Sequence, residues 1–372
     1  MPRCAVFSSD FLPYSQTFVY EEVRHHSRYD VEVFCRRRML LDRFPFEPVH
    51  VGGKRYALTR YSSKFHELFR SRRYDLVHAH FGTGALYALP YVERYSLPLV
   101  VTFHGYDVPL LRSAARLRPQ NWPYALLGSR MVQVMTLGVC ASGELRELLI
   151  DYGVEDERLA ICRVGIDLSA FAKGARNREH PTVLMIGRFV EKKGFEIGLR
   201  AFGNVIGKGQ RARLVIVGDG ERRGKLEALT AKLGIGAQVT FAGVLAPKEI
   251  ASLLSTSDVL MAPSVVGTDG DRESGVLVVK EASASEVVPI GTYHGGIPEI
   301  IEDGTTGYLV PERDVSALSG RLELVLGDSD LRDRLGRAAR RKMEREYGVR
   351  GQVAALEDLY DRAVRSARSA GN

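Results

Sequence analysis

Short apolar runs ending in glycine or small polar residues, each followed by a helix-forming segment, recur along the whole 372-residue chain. Cys4-Ala-Val-Phe7 leads into Ser8-Ser9, the loop Asp10–Thr17 and a helical pattern over 18–26. Val31–Cys35, Asp75–His80, Pro98–Phe103 and Arg130–Met135 continue the series in the first half. Thr182–Ile186, Arg213–Val217, Val239–Gly243 and Asp258–Ala262 carry it through the second. Such runs read as buried strands, and strands alternating with helices imply parallel βαβ units with ligand sites at the strand carboxyl ends. The expected class is therefore α/β. A chain of this length supports two domains with separate cores. The polar, aperiodic stretch 168–181 reads as the linker, which puts a first domain at 1–167 and a second at 182–348.

The residues at the strand ends suggest the chemistry. After Ala262 come Pro263, a Gly/Asp-rich loop, and a helical pattern from Val276, with Ser274 and Gly275 as N-cap candidates. Glu273 precedes that helix and Glu281 lies about two turns inside it. An anion at the helix mouth would have a carboxylate on either side, roughly 9 Å of helix apart. Hydroxyls flanking a phosphate, as in a nucleotide sugar, suit that spacing. By itself the pattern more often marks a helix cap and a solvated surface residue. About 80 residues earlier, the loop Gly187-Arg188-Phe-Val-Glu-Lys-Lys193-Gly194 offers a guanidinium fork and an ammonium that can close on a diphosphate. Gly218-Asp219-Gly220 has the outline of a dinucleotide fingerprint, but Arg223 stands where its third glycine belongs, which disfavours a dehydrogenase. Asp269-Gly270-Asp271 reads as turn chemistry in preference to a divalent-metal site.

In the first half, polar residues gather at three strand ends: Ser15-Gln16-Thr17, His80-Phe81-Gly82-Thr83 and His104-Gly105-Tyr106-Asp107. A neutral imidazole at His104 can accept or donate a hydrogen bond to a sugar hydroxyl, while His78 reads as packing. The segment from Asp75 is expected to run through His80 into a loop before its helix. The formal charge of +7 is uneven, +6 over residues 1–180 and +1 over 181–372. That basic half reads mainly as a solvated face, with weak peripheral membrane contact as the alternative. No zinc, recognition-helix or aromatic-platform motif supports nucleic-acid binding. Four scattered cysteines fit a reducing cytosol, and charges at Arg3 and Asp10 argue against a signal peptide. The expected location is cytoplasmic.

Taken together, Ser15–Val19, His78–Gly82, Thr102–Asp107, Gly187–Gly194 and the Glu273–Glu281 block resemble, in order, the motifs of the GT-B fold retaining glycosyltransferases of family 4. The resemblance implies two doubly wound Rossmann-like domains facing across a cleft, with a last helix, about 349–366 within the segment 349–372, crossing back to the first. It implies transfer from a nucleotide-sugar donor, UDP- or GDP-linked, to a glycan, glycolipid or natural-product hydroxyl. Neither cofactor nor metal is expected. Donor binding falls to Gly187, Arg188, Lys193, Gly218, Val244, Glu273, Gly275, Val276, Leu277 and Glu281. The acceptor side falls to Ser15, Gln16, Thr17, His80, Gly82, Thr83, His104, Gly105 and Asp107. His104, Arg188, Lys193 and Glu273 are the residues expected to act on the reaction itself. The chain departs from the family in lacking a Gly-Gly pair in its first loop, and in carrying Gly275-Val276 where Phe-Gly is common. It also has Glu286 where a helix-ending glycine is usual. A sugar-nucleotide epimerase or hydrolase, or a non-catalytic nucleotide-sugar module, are the alternatives.

Overall fold

Every strand pairing described in this computed structural model is parallel, and the strands fall into two sheets. The structure describes residues 1–12, 16–40, 44–112, 118–176, 179–268, 270, 272–273 and 276–370. One compact unit comprises Met1–Gly165 with Val349–Asn372, the other Ile166–Gly348. The first sheet contains β1 (Arg3–Phe11), β2 (Asp30–Arg38), β3 (Val49–Val51), β4 (Leu76–His80), β5 (Leu99–Phe103), β6 (Leu137–Cys140) and β7 (Leu159–Ile161). Its order is β3-β2-β1-β4-β5-β6-β7. The second contains β8 (Thr182–Ile186), β9 (Arg213–Val217), β10 (Val239–Gly243), β11 (Val259–Ala262), β12 (Val288–Thr292) and β13 (Tyr308–Val310), in the order β10-β9-β8-β11-β12-β13. In both, the order reverses beside the first strand of the unit, β1 against β4 and β8 against β11. Doubly wound sheets open a crevice at that reversal.

The unbroken apolar runs follow from burial on both faces. Along β1, Ala5 and Phe7 join one core cluster while Cys4 and Val6 join another. Along β11, Val259 and Met261 pack on one side and Leu260 on the other. The period-two alternation of a strand thus feeds two cores, and neither face is left to water.

Four expectations change. Arg130–Met135 is not a strand: residues 122–134 form one helix, and the strand is Leu137–Cys140. A six-residue run with four apolar residues fits a buried helical turn equally well, and periodicity over so few residues does not separate the two. No loop follows His80, because the helix Phe81–Tyr95 starts at the next residue with Phe81 at φ +63°. The stretch 168–181 is not free of the second unit. Gly174 N–H donates to Ser255 O, and Arg176 donates to the carbonyls of Ser285 and Glu286. The cap candidates Ser274 and Gly275 lie outside the described residues, and the helix begins at Leu277 with Val276 in the cap position. At the other end of that helix, Glu286 takes the left-handed conformation at φ +58°, which is where the missing glycine would have been unstrained.

Candidate active site

In the second unit Lys193 and Glu273 meet at the reversal between β8 and β11, while Gly218 and Val244 follow the neighbouring strands β9 and β10. The loop after β8 turns at Gly187 and closes at Gly194, both at positive φ (+154° and +63°). A Cβ on Gly194 would sit 1.8 Å from the Pro263 carbonyl oxygen, and one on Gly218 would sit 1.9 Å from that of Gly187. Those distances admit no side chain, so the ends of β8, β9 and β11 can approach only as glycines. Gly218 N–H also donates to Gly243 O at 2.8 Å, tying in the end of β10, where Val244 is 68% exposed.

On this frame Lys193 Nζ donates to Glu273 Oε2 at 2.9 Å, and Lys192 Nζ lies 3.6 Å from Glu273 Oε1. Burial pushes the Glu273 carboxyl toward protonation, and the two ammonium groups outweigh it, so its pKa ends below the usual carboxylate range. Glu273 is therefore an ionised, buried acceptor. Arg188 is exposed on the same loop, and no ion pair is described for it. Glu281 stands one helix turn past Leu277, partly buried, and burial raises it to about 7 against the partial offset of Lys280. Val276 is buried and Leu277 partly so. Gly275, Asp269 and Asp271 lie outside the described residues.

In the first unit, His80 and His104 meet: His80 Nδ1 and His104 Nε2 are 3.1 Å apart, with their rings stacked. Glu22, on the helix Thr17–Val23, lies under them with Oε1 3.1 Å from His80 Nε2. Burial raises the Glu22 carboxyl, but His80 and His78 bring it down to about 2. His78 is fully buried between Thr102 Oγ1 and the Tyr360 hydroxyl, each 2.7 Å away, and burial lowers it to about 3. Packing is its place.

Asp107 is also fully buried, and its carboxylate accepts the backbone N–H groups of Gly82, His104 and Gly105. Burial raises it to about 6, and those N–H groups hold it from going higher. It ties the loop that carries His104 to the first turn of the helix that carries Gly82. Gly82 itself is required by space, since a Cβ there would overlap the Tyr124 hydroxyl at 2.2 Å. Thr83 Oγ1 pairs with the Tyr106 hydroxyl at 3.0 Å, and Gly105 is buried at φ +145°. Gln16 and Thr17 open the helix at the end of β1, both partly buried, while Ser15 lies outside the described residues.

The sequence did not announce Glu22, which sits in an ordinary amphipathic turn. Nor did it announce Lys192, whose neighbour Lys193 carried the motif. His294 and Glu312, described below, carried no spacing signal of their own.

The family described as Glycosyltransferase Family 4 matches residues 15–170, and that described as Glycosyl transferases group 1 matches residues 168–342. A putative colanic acid biosynthesis glycosyltransferase, WcaL of Salmonella typhimurium, is 28% identical over 292 residues, 76% of this chain and 70% of that protein. The amylovoran biosynthesis glycosyltransferase AmsK of Erwinia amylovora is 28% identical over 293 residues, 77% of this chain and 70% of that protein. Among solved structures, HepE from Anabaena in complex with UDP superposes with a TM-score of 0.79 at 16% identity, covering 97% of this chain and all of that one. The chain belongs to the family 4, group 1 glycosyltransferases and has their GT-B fold. Among the described residues, no helix is long and apolar enough to cross a membrane.

Proposed function

We propose that the protein moves a sugar from a nucleotide-sugar donor to a glycan or glycolipid hydroxyl with retention of anomeric configuration and without a metal. One observation carries this reading: Lys193 is paired with Glu273 at the strand reversal of the second unit, and Arg188 stands exposed on the same loop as Lys193. A diphosphate there would meet the guanidinium of Arg188 and the unused donors of the Lys193 ammonium, together with the N–H groups at the mouth of the helix from Leu277. These charges develop their full effect as the leaving diphosphate gains charge. Glu281 would take the ribose hydroxyls, and Glu273 those of the transferred sugar. His104, backed by His80, would hydrogen-bond a hydroxyl on the acceptor side.

Retention is read from the family, with attack on the leaving-group face and a diphosphate oxygen taking the acceptor proton. The names of WcaL and AmsK place those proteins in polysaccharide biosynthesis, and HepE binds UDP, which favours a UDP-sugar and a polysaccharide acceptor here. The decisive test is a thermal-shift screen of UDP-, GDP- and dTDP-sugars, since a ligand of the folded state raises the melting point by mass action. Stabilisation by one nucleotide class, followed by transfer from it to a glycan, supports the reading. No shift with any of them removes it.

Chelation separates the protein cations from a metal. EDTA is expected to leave transfer within about twofold, because Arg188 and Lys193 supply the charge that a divalent ion would otherwise bring. Complete loss, restored by manganese or magnesium, would transfer that role to Asp269 and Asp271.

A further inference from the structure

The described residues between β11 and the helix from Leu277 have no regular structure, so the place of Glu273 is set by what that segment is tied to. Thr292 Oγ1 donates to Ser264 O at 2.6 Å, Val265 N–H to Lys192 O at 2.9 Å, and the Thr268 hydroxyl to Glu191 at 2.8 Å. Nearer Glu273, Lys192 Nζ donates to Arg272 O at 3.1 Å, and the other ties run through one imidazole. Val266 N–H donates to Glu312 Oε2 at 2.9 Å, Glu312 Oε1 lies 2.7 Å from His294 Nδ1, and Glu273 N–H donates to His294 Nε2 at 3.0 Å. His294 is 2% exposed at the end of β12.

A backbone N–H can only donate. His294 Nε2 must therefore present a lone pair, the ring proton must sit on Nδ1, and that proton must go to Glu312. The tautomer is fixed by connectivity alone. An imidazole with both nitrogens engaged inside the protein has nothing left for a ligand, but it holds the main chain of the residue whose carboxylate faces Lys193.

We infer that His294, oriented by Glu312, is a positioning residue for sugar transfer: it fixes the backbone of Glu273 and thereby the direction of its carboxylate. This rests on the role proposed above for Glu273. Losing the acceptor would leave a buried N–H unpaired or let the segment shift, and a displacement near 1 Å at a reacting sugar is enough for about 100-fold in rate.

The test compares His294→Leu, His294→Gln and Glu273→Gln in the full chain. His294→Leu is expected to lower kcat about 10- to 100-fold. The affinity for UDP or GDP, whichever stabilises the wild type, should stay within about threefold, because neither carries the sugar that Glu273 meets. His294→Gln offers a neutral acceptor to Glu273 N–H and a donor to Glu312, and should recover most of the loss. ¹⁵N spectra of the wild type should show His294 protonated at Nδ1 and bare at Nε2. The inference is overturned if His294→Leu keeps its kcat while Glu273→Gln loses it, or if the spectra place the proton on Nε2. It is equally overturned if nucleotide affinity and melting point collapse with kcat and glutamine rescues nothing, which is the pattern of a merely structural residue. Should Glu273→Gln itself transfer at the wild-type rate, the assignment of Glu273 fails first and the positioning role goes with it.

Discussion

Lys193→Ala and Arg188→Ala are each expected to lower sugar transfer about 100-fold, the usual loss on removing one preorganised charge contact to a developing anion. The two variants should differ in stability. Arg188 is exposed with no ion pair described, so its loss should leave the melting point near that of the wild type. Lys193 neutralises the buried carboxylate of Glu273 at 2.9 Å, with Lys192 farther off at 3.6 Å. Its removal strands much of that charge, and the Glu273 pKa should rise as burial regains the upper hand. Because that pKa is depressed in the folded protein, the pairing stabilises above the ordinary carboxylate range and is lost as pH falls through the depressed value. Lys193→Ala should therefore lose stability at neutral pH, where the wild type is stabilised by the pair. Transfer rates and melting curves of both variants check this, and wild-type kinetics in both would dismantle the donor clamp.

The second large effect is a contrast between the two glutamates. Glu273→Gln, at nearly constant volume, should mainly lower kcat, because a carboxylate beside a sugar gaining positive charge helps most in the transition state. Glu281→Gln should mainly raise the donor KM, because ribose does not react and is bound about equally throughout. Glu281 adds a pH signature. Burial raises it to about 7, so the free protein favours its protonated form below that and loses stability as pH rises through it. Ribose hydroxyls favour the carboxylate. Nucleotide affinity should thus weaken about tenfold per pH unit below 7 and level off above it, and Glu281→Gln should flatten the curve. Calorimetric titration with the nucleotide from pH 5.5 to 8.5 reads this directly. A flat wild-type profile removes Glu281 from the ribose, and two variants that only melt earlier return both residues to a capping role.

The strand ends were the legible part of this chain. A glycine or histidine after a buried strand stands out against an apolar background, so Gly187, Arg188, Lys193, His80 and His104 could be named in advance. Their partners could not. Glu22 reaches His80 from another element, and nothing within a window around Glu22 encodes that meeting. His294 and Glu312 are 18 residues apart and join only because β12 and the segment after β13 come together. The resemblance implies an acceptor-side place for Asp107, yet three backbone N–H groups claim its carboxylate. Local pattern places the chemistry-bearing residue, and tertiary contact decides which way it faces.

The first unit is discontinuous, and this bears on how it is made. Its sheet face built from Cys4, Val6, Val31 and Val100 is closed by Leu356, Tyr360 and Ala363 from the helix Val349–Ala370. That helix also supplies Glu357, a buried carboxylate that accepts the N–H groups of Ser27 and Arg28. Residues 166–348 must all be synthesised between the two parts. At ~5–20 residues per second, the amino-terminal sheet waits roughly 10–40 s on the ribosome with one apolar face uncovered. Over that interval the second unit, continuous in sequence, has everything it needs to fold. The half emerging first is therefore the half completed last, and its open face is what a holding chaperone would meet.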